Sequence, residues 1–260
     1  MGAGGAELET WFTTVSGVLI HRPEGDVLID AGCSARVDTQ MEEFAPLKAA
    51  IARQILASYT FRTSTPEALA AAGEPLERVT TIIPTHAHYD HLAGAEDVPG
   101  ARILLVPDEI AFLDRQEQAP DIVAASNIAA VRSRIEQISF ADEFYLGFTR
   151  SLDVFGDASI VLVPLPGHTP GSVGAFFDVG ARRVFAIGDA TWIMEAVDRC
   201  LLRPPALRAF ADDDPDAAER QVKFLATFHA DHPEITILPA HDRTSWEGVF
   251  GEPGCGCLKP

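Results

Sequence analysis

Three histidines and an aspartate fall within the run Thr85-His86-Ala87-His88-Tyr89-Asp90-His91. Histidine is scarce elsewhere, with eight in 260 residues, so this clustering is not a by-product of composition. Imidazole nitrogens and carboxylate oxygens are good ligands for zinc, and also for manganese and iron. The spacing says how they would act. His86 and His88 are two positions apart, so on a helix they would diverge, whereas on an extended or looped segment they face the same side. The apolar run Val79–Ile83 comes just before, which places the cluster at the end of a β-strand. A His-rich surface loop is the plainer alternative.

Four further segments carry candidates. Asp30 ends Val27-Leu28-Ile29-Asp30-Ala31-Gly32, and His168 lies in Pro166-Gly167-His168-Thr169-Pro170-Gly171-Ser172. Asp189 ends Ala186-Ile187-Gly188-Asp189, and His241 lies in Leu238-Pro239-Ala240-His241-Asp242. Taken singly, each has a structural explanation. His168 reads as a turn histidine, Asp189 as a strand-end cap, and Asp30 as a turn residue.

Together and in this order, the five segments resemble the motifs of the metallo-β-lactamase superfamily, over residues 8–243. The resemblance implies an α/β fold, the αββα four-layer sandwich, as one domain over residues 1–260 with short tails at about 1–6 and 251–260. It implies that His86, His88 and His168 bind one metal and that Asp90, His91 and His241 bind a second. Asp189 would bridge the two, and Asp30 would steady the first motif through hydrogen bonds.

The implied cofactors are two divalent metal ions, Zn2+ foremost, with Fe or Mn as alternatives. Two such ions bring +4; Asp90, Asp189 and a bridging hydroxide bring −3, leaving a small positive spot that can polarise a carbonyl. The implied reaction is attack of that hydroxide on the carbonyl of a lactone or ester-like substrate. Asp90, the catalytic residue of this reading, would orient the hydroxide and pass a proton to the leaving group. Within the superfamily the chain is similar to the quorum-quenching lactonases in length and in the helical segment between its second and third motifs. Those enzymes commonly carry a Tyr three residues after the bridging aspartate. Here that place is Trp192, whose indole N–H can still donate. A glyoxalase-II-like thioesterase, an iron-dependent persulfide-type oxidoreductase and a non-catalytic binding module are the competing readings.

Composition narrows the partners. The chain has 38 acidic against 20 basic residues, a formal charge of −18. An acidic surface repels phosphate backbones and anionic lipid, so nucleic acid and membranes are not expected partners. A small-molecule substrate with an apolar portion is expected, and a homodimer is compatible with the hydrophobic loops. No window reaches the roughly 18 apolar residues of a membrane span. The start MGAGGAELETW lacks the basic and apolar regions of a signal peptide, so a cytoplasmic protein is expected. Cys33, Cys200, Cys255 and Cys257 are too few and too uneven for a disulfide framework. The last two read as free thiols of a loose tail.

The elements that must position these residues alternate along the chain. Strands are expected at Leu8–Val15, Gly17–His21, Val27–Ile29, Val79–Ile83, Ile103–Val106, Ser151–Val154, Ser159–Val163, Ser172–Val179, Arg183–Ile187 and Ile235–Leu238. Helices are expected around Pro46–Ala57, after Thr65 as N-cap up to Gly73, from Asp108 to Gln137 with a break near Pro120, and over Pro215–His229 after Asp214. Pocket walls are expected from two aromatic stretches. One holds Phe44, Tyr59 and Phe61; the other holds Phe112, Phe140, Phe144, Tyr145 and Phe148. His21, His229 and His232 match no motif and are expected on the surface.

Overall fold

The computed structural model describes residues 17–58 and 63–251. The expected strand Leu8–Val15, the aromatics Tyr59 and Phe61, and the Cys255/Cys257 pair lie outside the described residues.

In chain order the elements are β1 (Val18–Ile20), β2 (Asp26–Ile29), α1 (Val37–Gln40), α2 (Pro46–Ser58), α3 (Thr65–Ala72), β3 (Val79–Ile83), β4 (Arg102–Leu105), α4 (Pro107–Gln118), α5 (Ala125–Val131) and β5 (Ile135–Gln137). There follow β6 (Leu152–Asp153), β7 (Ile160–Pro164), β8 (Val173–Val179), β9 (Arg182–Gly188), α6 (Met194–Asp198), α7 (Pro205–Ala211), α8 (Pro215–Asp231), β10 (Ile235–Pro239) and α9 (Arg243–Phe250). They make two five-stranded sheets, ordered β1-β2-β3-β4-β5 and β10-β9-β8-β7-β6. In the first, β2 to β5 pair in parallel and β1 pairs antiparallel to β2. In the second, β6 to β9 are antiparallel and β10 adds in parallel to β9.

Side-chain alternation along each strand builds the layers. On β2, Val27 and Ile29 point into the core between the sheets, while Leu28 points out to the helices over the first sheet. On β9, Val184 and Ala186 enter the inter-sheet core, and Phe185 and Ile187 face the opposite way. β7 repeats the pattern, with Ile160 and Leu162 inward and Val161 and Val163 outward. A period of two with both faces apolar is what a sheet covered on both sides requires. The outer face of the first sheet packs on Leu69 of α3, Phe112 and Leu113 of α4 and Ile128 of α5. The outer face of the second packs on Val197 of α6 and on Leu225 and Phe228 of α8. The order of layers is helix, sheet, sheet, helix: the αββα sandwich.

Two expectations need correction. Ser64, not Thr65, caps α3: Ser64 and Glu67 form a reciprocal capping box, and Thr65 is the first helical residue. The hydroxyl of Thr65 instead donates to the Ala31 carbonyl, tying the helix to the turn after β2. The segment from Asp108 does not stay helical to Gln137. After α4 and α5 the chain returns as strand β5, which pairs with β4 at the sheet edge. Its residues Ile135, Glu136 and Gln137 are half-buried to exposed, so no apolar alternation marked it.

Strand β9 ends at a point where side chains cannot be added. Gly188 has φ +51°, and a Cβ there would lie 2.5 Å from the Thr85 hydroxyl oxygen. Gly188→Ala is expected to destabilise the chain by about 2–4 kcal/mol, combining left-handed backbone strain with overpacking. Urea denaturation of the metal-free protein measures it, and a wild-type midpoint would contradict the packing described.

Candidate metal centre

The loops after β3, β8's leading turn, β9 and β10 converge at one end of the sandwich. The run after β3 carries His86, His88, Asp90 and His91; the turn entering β8 carries His168; β9 delivers Asp189; β10 delivers His241. All seven are buried. The structure therefore brings together every residue singled out from sequence for this site.

Their ligand atoms fall into three groups, each within 4.8 Å: His86, His88 and His168; His86, His91 and Asp189; Asp90, His91 and His241. Asp189 lies between the other two groups. Its carboxylate is 3.4 Å from His168 Nε2, 3.4 Å from His91 Nε2 and 3.1 Å from His241 Nε2. Asp90 stands at the same side, 3.8 Å from His241 Nε2 and 3.9 Å from His91 Nε2.

Electrostatics divide the histidines. Burial, reinforced by neighbouring imidazoles, pushes His86 and His88 well below the usual histidine range, so both stay neutral. Burial also opposes charge on His91, but Asp30, Asp189 and Asp90 outweigh it and hold His91 well above that range. His241 is raised in the same way, chiefly by Asp189. Asp189 is itself opposed by burial, yet His241 and His91 keep it ionised, well below the usual carboxylate range. A buried anion surrounded by imidazoles calls for positive charge.

The donor set fits a metal. His86 Nε2 is buried and has no hydrogen-bond partner, and His91 Nε2 and Asp189 Oδ1 face each other without forming a well-directed hydrogen bond. Buried polar atoms of native proteins are rarely left so. Neutral His86 and His88 and ionised Asp189 are in the forms that ligate.

The far nitrogens of two histidines are held by carboxylates. Asp30, at φ +58°, accepts the Thr85 N–H at 2.6 Å and the Thr85 hydroxyl at 3.0 Å, and faces His91 Nδ1 at 2.9 Å. This is the steadying role expected of it. Asp212 faces His168 Nδ1 at 3.2 Å, a partner that no sequence motif marked. Arg203 in turn donates to Asp212 at 2.8 Å and to the Asp189 carbonyl at 2.6 Å. Its guanidinium also stacks 4.5 Å over the Trp192 ring. The Trp192 indole N–H donates to Asp189 Oδ2 at 3.0 Å.

The expected aromatic walls are only partly found. Phe112 packs against the His88 ring and Phe44 against Tyr89. Phe140 instead packs against the inter-sheet core, Tyr145 and Phe148 pack beneath α8, and Phe144 is exposed. An apolar cavity of about 190 Å³ lies beside the centre, lined by Trp192, Ile193, Leu201, Leu202, Pro204 and Val222. It comes from the segment after Asp189, which the sequence reading did not nominate. His21 is exposed and His229 and His232 are half-buried, away from the cluster.

The family model described as the metallo-beta-lactamase superfamily matches residues 10–241. The chain belongs to this superfamily. It is a metal-binding hydrolase of that superfamily. A Mycobacterium tuberculosis protein named "Probable metallo-hydrolase" is 24% identical over 241 residues, 86% of this chain and 73% of that protein. Among solved structures, a quorum-quenching N-acyl homoserine lactone lactonase superposes with a TM-score of 0.63 at 19% identity, covering 90% of this chain and 82% of that one. A mutant of B. thuringiensis AiiA with N-decanoyl-L-homoserine bound at its active site gives 0.64 at 18% identity, covering 92% and 86%. At such identities the likeness to these structures is one of fold. Among the described residues no helix is long and apolar enough to cross a membrane.

Proposed function

We propose that this superfamily member is a dinuclear metal-dependent hydrolase acting on the carbonyl of a lactone or ester with an apolar portion. His86, His88 and His168 would hold one ion, Asp90, His91 and His241 the other, with Asp189 shared. When bound, such metals act as Lewis acids and lower the pKa of water to about 7. The observation that carries this reading is the grouping of seven buried ligand atoms into two sets around Asp189.

The chain's own residues have separable tasks. Asp30 and Asp212 fix the orientation of the His91 and His168 rings. The Asp90 carboxylate stands at the edge of the cluster, where it can hold the proton taken from the attacking water and release it to the departing oxygen. The Trp192–Leu202 cavity, apolar over most of its surface, suits the apolar portion of the substrate. The lactonases of similar fold, one solved with an acyl homoserine bound, lend the lactone class its support.

The test is a panel of acyl lactones, esters and thioesters on one sample whose metal content has been measured. Lactone hydrolysis lost with chelation supports the reading. Preference for thioesters would move it to the glyoxalase-II-like class, and persulfide-dependent oxygen consumption with bound iron to the oxidoreductase class.

Trp192→Phe tests the tryptophan separately. It removes the indole donor to Asp189 and keeps an aromatic ring under Arg203. A hydrogen bond to a charged group contributes about 1.5–3 kcal/mol, so kcat/KM is expected to fall at least about tenfold. An unchanged value would show that the N–H does not steady Asp189 during turnover.

A further inference from the structure

Glu109 lies on the first turn of α4, outside every motif, yet its side chain is completely buried. Its carboxylate touches both ligand-bearing loops. Oε1 accepts the backbone N–H of Ala87 at 2.6 Å, the residue between His86 and His88. Oε2 accepts the backbone N–H of Gly171 at 2.9 Å and faces the Thr169 hydroxyl at 2.8 Å, next to His168. We propose that Glu109 is a positioning residue of the metal centre, a clamp that fixes His168 relative to His86 and His88. The proposal rests on those three histidines sharing an ion.

A second observation supports it independently. A Cβ on Gly171 would lie 2.3 Å from the Glu109 backbone nitrogen and 2.5 Å from its Cβ. The loop therefore rests directly on the backbone of α4, and glycine is what permits the approach. At their strand ends the two loops are joined by the Val173 N–H to the Thr85 carbonyl, 2.8 Å. Nearer the ligands, Glu109 provides the join.

Burial pushes this carboxyl up to about 7, against the pull of its three donors. The clamp survives either state. Ionised, the two oxygens accept all three bonds. Protonated, one oxygen accepts from Ala87 while the other accepts from Gly171 and gives its own proton to the Thr169 oxygen. Glutamine cannot do this, because its NH2 opposes one of the two backbone N–H groups. Glu109→Gln is thus a sharper change than protonation.

The experiment compares Zn2+ affinity, Zn2+ release to a chelator and the kcat/KM split in wild type, Glu109→Gln and Gly171→Ala. Glu117→Gln, on the exposed side of the same helix, is the control. Partners of ligating histidines are worth about 10–100-fold in metal affinity, and a change of that order with faster release is expected for both variants. kcat should fall with KM little changed. Thr169→Val, which removes one donor and keeps the shape, should lose several-fold and serves if the other variants do not fold. Wild-type affinity and release in Glu109→Gln or in Thr169→Val would overturn the clamp while leaving the metal site standing. Absence of bound metal in the wild type would instead overturn the proposed function beneath it.

Discussion

Replacing Asp189 with asparagine is expected to reduce hydrolysis by on the order of 10³-fold or more. Loss of a single transition-state hydrogen-bond donor already costs about 10²–10³. The substitution keeps size and shape and removes one negative charge. That charge sits 3.1–3.4 Å from the Nε2 atoms of His241, His91 and His168, closer than Asp90, which stands 3.8 Å from His241 and 3.9 Å from His91. Two divalent ions facing Asp90 and Asp189 would leave a net charge of +2; without Asp189 it would be +3, in a buried pocket where repulsion is poorly screened. At least one metal equivalent should therefore be lost with the activity. Circular dichroism and melting of the metal-free variant establish that the chain still folds. A folded variant that keeps both metal and turnover would remove Asp189 from the account.

Asp30→Asn is expected to produce the next largest effect without touching a ligand. Asparagine tolerates the left-handed backbone at this position, so the turn itself should persist. The amide, however, offers one acceptor oxygen where the carboxylate offers two. It cannot serve the Thr85 N–H on one oxygen while the other serves the Thr85 hydroxyl and His91. Metal affinity should drop about 10–100-fold. Stability should drop by about 1–3 kcal/mol from the unpaired buried donor. Asp30→Ala should lose a similar amount of metal affinity and about a further 1–2 kcal/mol of stability, because alanine is strained at this φ. Isothermal titration with Zn2+ and urea denaturation separate the two effects. Equal affinities for Asp30→Asn and wild type would contradict the orienting role.

Much of the candidate centre was legible in the sequence because its residues are rare types in a compressed pattern. Three histidines in one heptad do not arise from packing needs, and the strand before them places them at a sheet end. The layers were legible where both faces of a strand are apolar, as in β3 and β9. Strand β5 was not, because an edge strand buries little and Ile135-Glu136-Gln137 shows no alternation. Ser64 was legible as well, because Ser64 and Glu67 have the Ser-x-x-Glu spacing of a capping box; taking Pro66 as the first helical residue moved the cap to Thr65. Glu109, Arg203 and Asp212 were invisible for a different reason. They are common residues outside any motif, and they reach the centre only through contacts distant in sequence. Aromatic content suggested apolar walls from two stretches, and neither lines the cavity beside the centre. It could not show that Tyr145 and Phe148 turn under α8 while Trp192 and Leu202 line the cavity.

In the proposed centre, seven side chains hold two ions that act together. Titrating metal-free protein with Zn2+ while following hydrolysis of an acyl lactone tests it most directly. Activity is expected to climb until two equivalents per chain are bound and then stop. Saturation at a single equivalent, or full turnover with none, would contradict it.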